Sequence, residues 1–138
     1  MPEKFENIYG ALEQGVDVNG AMVCDYRTFR SLYNHAVRAS VRNNREAVIS
    51  MLKIVDVDEP DKNTTIDISN RIGTAIAGAL RRDDVVTGFD TNQFLILLAH
   101  LSMEDARKVL DRLISRITDE LSRPIKVEID LERVRQVP

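Results

Sequence analysis

Tryptophan is absent from this chain, and three Tyr and four Phe are its only aromatics, so the core has to be aliphatic. A lone cysteine, Cys24, excludes an internal disulfide, and a reduced, cytoplasmic setting is the simple reading. No apolar run reaches membrane-spanning length, and no signal peptide follows Met1-Pro2-Glu3-Lys4. A basic surplus is also missing. The net charge of −3 argues against nucleic acid as a partner, because phosphate contact shows as excess Lys and Arg. There is no Gly-rich phosphate loop, no internal repeat and no low-complexity segment. His35 and His100 have no companions at metal-binding spacing and read as surface or satisfied histidines. Cys24 has no nucleophile context and reads as a small buried hydrophobe. Asp56 to Asp67 has the length of a calcium loop, but Pro60 and Asp61 stand where an oxygen ligand and Gly are needed.

The 138 residues, 43% hydrophobic and 30% charged, suit one soluble domain with a single core. Residues 3–14 carry Phe5, Ile8, Tyr9 and Leu12 at helical spacing, a first helix or connector that Gly15 stops. Asn19-Gly20 marks a turn, and Ala21 to Cys24 is a short edge-strand candidate. Asp25 can cap a helix whose stripe is Phe29, Leu32, Tyr33, Ala36 and Val37. Arg27, Arg30, Arg38 and Arg42 lie off that stripe and read as a solvated face. The near-continuous apolar run from Glu46 to Val57 predicts a central strand.

Thr64-Thr65-Ile66-Asp67 has capping-box spacing and predicts a helix from near Thr65 to near Arg82, striped by Ile68, Ile72, Ala75, Ile76 and Ala79. Gly73 and Gly78 weaken it but permit close packing on a sheet. Residues 84–98 read as a β-hairpin, its bend marked by Thr91 to Gln93 and Gly88. Its second arm, Phe94 to Leu98, is apolar without alternation, as in a strand covered on both faces. Ser102 to Asp105 is a second capping box ahead of Ala106, Val109, Leu110, Leu113, Ile114, Ile117 and Leu121. Ile125, Val127, Ile129 and Leu131 alternate with charged residues, a half-exposed strand. From residue 46 the order is βαββαβ. That predicts an α+β, ferredoxin-like core with a four-stranded antiparallel sheet and both helices on one face.

Arg81-Arg82-Asp83-Asp84 at a helix end, then a strand, then Asp90-Thr91-Asn92-Gln93-Phe94 resembles the diguanylate cyclase (GGDEF) family. There an Arg-x-x-Asp motif precedes a Gly-Gly-Asp/Glu-Glu-Phe turn. The resemblance assigns residues 20–138 to a GGDEF-like domain, with residues 1–19 as an N-terminal helix or connector. It implies that Asp56 matches a metal-holding Asp at the end of the first core strand, and Asp58 the second Asp of the family's Asp-x-Asp. Of the signature only Phe94 is kept; Asp90 and Thr91 replace the glycines, Asn92 and Gln93 the acids. An amide oxygen is a much weaker Mg²⁺ ligand than a carboxylate.

The resemblance therefore implies a catalytically inactive regulatory or protein-interaction domain, with no cofactor and no catalytic residue. Its partner is another protein or a second copy. The alternative is a cyclic di-GMP or nucleotide receptor through Arg81 and Asp84; a live diguanylate cyclase ranks last. Without a ligand, Arg81 reads as a solvated helix terminus whose loss leaves the melting temperature nearly unchanged. Residues 20–55 also resemble bacterial transcriptional regulators that carry a degenerate cyclase-like domain at their C-terminus.

Overall fold

Asp25 starts the first helix as its chemistry predicts. Its Oδ1 accepts the Thr28 N–H at 2.8 Å, satisfying one of the donors that a helix start leaves open. A computed structural model describes residues 8, 20–43, 46–56, 62–90, 92–121 and 125–134 of the chain. The elements are β1 (Met22–Val23), α1 (Tyr26–Asn43), β2 (Ala47–Asp56), α2 (Lys62–Ala79), β3 (Val85–Asp90), β4 (Gln93–Ala99), α3 (Met103–Leu121) and β5 (Ile125–Arg133). The expected helix over 3–14 lies outside the described residues, except for helical, half-exposed Ile8.

The strands form one sheet in the order β1-β3-β4-β2-β5. The four core strands pair antiparallel, as the ferredoxin-like reading requires. The sheet has a fifth member, however: β1 pairs in parallel with β3, Met22 opposite Val85 and Val23 opposite Val86. A backbone clasp sets it there. Gly20 has φ +75°, and a Cβ at this position would collide with the Ala77 carbonyl, which accepts the Ala21 N–H at 2.9 Å. Only glycine allows this approach at positive φ.

Both helices α2 and α3 lie on one face. Ile72, Ile76 and Leu80 meet Leu110, Leu113 and Ile117 over Val48, Leu52, Phe94, Ile96 and Leu98. An added Cβ on Gly73 would sit 3.5 Å from the Phe94 ring, so the close approach expected there exists; around Gly78 the space is open. Ser102 Oγ accepts the Asp105 N–H at 3.2 Å and caps α3. α2 starts at Lys62, ahead of the Thr64 box, and ends at Ala79 rather than near Arg82.

Among the described residues the opposite face is covered by α1, through Phe29 and Val37 over Ala47, Val85 and Leu97, and the β2 half of that face carries no helix. Met51 is 37% exposed, while Ile49 and Leu95 are half-buried. β4, expected to be covered on both faces, has no exposed residue. Gly88 is also not in the bend. It lies within β3, beside the register shift between Gly88 and Asp90. The irregularity leaves Phe89 half-exposed, with its ring centroid 5.8 Å from that of Tyr26.

Candidate functional site

The hairpin turn joins β3 and β4 beside the end of β2. Sheet register puts Lys53 opposite Gln93, so the turn lies alongside the last residues of the strand that ends in Asp56. Asn92 fastens it there. Its backbone carbonyl accepts the Ile54 N–H at 2.8 Å, and its side-chain Nδ2 donates to the Ile54 carbonyl at 3.1 Å. This is a pair of rungs laid across a turn, and it turns the Asn92 side chain onto the backbone of β2. Phe94 is buried against α2, as expected of the packing residue. Gln93 is half-buried on the α1 side of the sheet. For Asp56 and Asp90 the backbone alone is described; Asp58 and Thr91 lie outside the described residues.

Of the turn residues whose side chains are described, Asn92 donates its Nδ2 to Ile54 and Gln93 is a second neutral amide; neither is a carboxylate of the kind Mg²⁺ favours. Among the described residues no group of three or more His, Cys, Asp or Glu is arranged to hold a metal.

Arg81 and Asp84 do come together, with each other. Asp84 is completely buried, and Arg81 is less than half exposed at its side chain. The carboxylate accepts the Arg81 backbone N–H at 2.9 Å, its Nε at 3.2 Å and its Nη2 at 2.9 Å. Nη2 also donates to the Ala99 carbonyl at 2.7 Å, and the Asp84 N–H returns to the Arg81 carbonyl at 3.0 Å. The turn is closed in both directions and tied to the end of β4. The solvated-terminus reading of Arg81 is therefore corrected: the guanidinium neutralises a buried charge. Opposite charges three residues apart were the signal available for this pairing.

Four titratable side chains that had seemed unconnected also share one place. His35 on α1, Glu46 before β2, Asp83 in the closed turn and His100 after β4 ring a recess of about 340 Å³. It lies at the end of the sheet away from the hairpin. No sequence signal marks it, because each residue comes from a different element. Cys24 is partly buried, its Sγ 4.0 Å from the Val86 carbonyl. Burial pushes its thiol pKa up, and the neighbouring Asp25 charge adds to this.

No protein-family model matches the chain, and no curated protein matches it by sequence. Solved structures do match by fold. A DGC protein from Thermotoga maritima superposes with a TM-score of 0.67 at 19% identity, over 80% of this chain and 81% of that one. The GGDEF domain of DgcB from Caulobacter crescentus, crystallised with c-di-GMP, gives 0.71 at 10% identity, over 83% and 74%. The diguanylate cyclase SiaD from Pseudomonas aeruginosa, crystallised with its activator SiaC, gives 0.68 at 15% identity, over 96% of this chain and 56% of SiaD. The fold is that of diguanylate cyclase GGDEF domains. No helix among the described residues is long and apolar enough to cross a membrane.

Proposed function

We propose that the chain is a catalytically silent GGDEF-like domain, a regulatory or protein-interaction module of a bacterial signalling or transcription regulator in the cytoplasm. The observation that carries this is the Asn92 latch. Where the family's turn presents an acid, this chain presents an amide whose Nδ2 is spent on the Ile54 carbonyl. Phosphoryl transfer rests on charge stabilisation by metal and carboxylates, and an amide facing the backbone supplies none. SiaD, of the same fold, was crystallised with an activator protein, so the scaffold supports protein contacts in that enzyme.

The test is incubation of the purified chain with GTP and Mg²⁺ or Mn²⁺. No cyclic di-GMP above background is expected. Turnover that disappears in Asp56→Ala would overturn the proposal. Calorimetry with cyclic di-GMP at about 50 μM addresses the receptor reading. In that reading the ligand competes with Asp84 and the Ala99 carbonyl for the Arg81 guanidinium, so no heat is expected. Heat that Arg81→Lys removes would put a receptor in place of the module.

A further inference from the structure

The recess beneath α1 has the makings of a ligand site. Its walls are small and apolar: Ala36 and Ala39 of α1 face Ala47, Val85, Leu97 and Ala99 of three adjoining strands. Alanines at so many facing positions leave a space that larger side chains would fill. At about 340 Å³ it falls within the range of small-molecule pockets, which combine an apolar lining with a few polar groups.

Among the described residues, Glu46 and Asp83 are the carboxylates on the lining, and no Lys or Arg lines it. Arg81 points its guanidinium at Asp84 and the Ala99 carbonyl instead. Neither Glu46 nor Asp83 has an ionic partner among the described residues. His35 and His100 complete the rim.

A second observation falls on the same rim. His100 holds φ +56°, the one positive φ among the described residues other than glycine. Histidine enters this region more readily than most residues, yet it remains sparsely populated and recurs at ligand sites. Glu46 and His100 also border a shallower hollow that runs on to Leu101 and Ser102. The strained residue thus stands between the two spaces.

We propose that this recess binds a small organic cation with a flat apolar body, its ring between the α1 alanines and the sheet and its ammonium group between Glu46 and Asp83. The site is separate from the hairpin and holds whether or not the hairpin is silent.

The probe is tryptamine, and indole-3-acetate, the same ring with an anionic tail, is the control. Amide shifts of the ¹⁵N-labelled full chain are followed to about 5 mM of each, a range that captures millimolar affinity. Tryptamine should give saturable shifts at Ala36, Ala39, Ala99 and His100, and indole-3-acetate should give none there. The double variant Glu46→Gln/Asp83→Asn changes only exposed side chains and should weaken tryptamine at least about tenfold. His100→Gly should raise the melting temperature, because glycine accepts the positive φ, while weakening tryptamine. Ala39→Leu should block binding by filling the recess.

Absence of saturable shifts with tryptamine would overturn the site. Equal binding of indole-3-acetate, or unchanged affinity in the double variant, would overturn the assignment to a cation.

Discussion

Arg81 shows how a surface residue acquires weight from what it covers. Its partner Asp84 has no exposure, and three of the Arg81 nitrogen–oxygen contacts end on that carboxylate. Removing one member of a buried pair strands the other charge, which costs more than the pair itself contributes. The Arg81 side chain is 44% exposed, and its backbone N–H stays in place after truncation, so part of that cost is relieved. Arg81→Ala should therefore lower unfolding stability by about 2 kcal/mol, read from urea denaturation. A change below about 0.5 kcal/mol would return Arg81 to the class of ordinary exposed helix-end charges.

Among the elements, α1 depends on its cap and on acid. The Thr28 N–H, and then the Thr28 hydroxyl, hold the Asp25 carboxyl below its ordinary value of 3.8. A carboxylate with a depressed folded-state pKa contributes stability above its unfolded pKa and loses it as pH falls through the folded one. The thermal midpoint of the natural chain should therefore exceed that of Asp25→Ala at pH 6. The gap should close as pH falls below about 3.8, because the protonated side chain is a weaker acceptor. A gap that stays constant down to pH 2.5 would mean the cap acts without its charge. The ¹³C titration of the Asp25 carboxyl gives a direct check, with a midpoint under 3.8 expected.

For the domain as a unit, the two faces of the sheet are unequal. The α2–α3 side holds the larger apolar cluster, and Leu110 within it is almost wholly buried. On the other side β2 and β5 present Met51 opposite Asp130 and Ile49 opposite Glu132, an apolar strip edged by acids. Truncation should separate the faces. Leu110→Ala should cost about 3 kcal/mol, as core truncations that leave a cavity do. Met51→Ala should cost clearly less than that, because 37% of the residue is already in water. Comparable losses in urea denaturation would mean that the β2 half of the sheet is covered in solution.

The order of the elements was legible from the chain because hydrophobic period is a local property. The steps of three and four from Ala106 to Ile117 wrote α3, and the alternation from Ile125 to Leu131 wrote β5. The caps at Asp25 and Ser102 follow from side-chain chemistry within three residues of each helix start. The amides Asn92 and Gln93 of the turn were equally legible, since ligand chemistry resides in residue identity. Tertiary structure alone decided the rest. Parallel docking of β1 depends on Gly20 meeting Ala77. The Asn92 latch joins residues 38 positions apart. The recess draws on α1, β2, the turn before β3 and the residue after β4. Each depends on which distant residues become neighbours. A period of 2 or 3.6 assigns a side chain to a face without naming what lies opposite it.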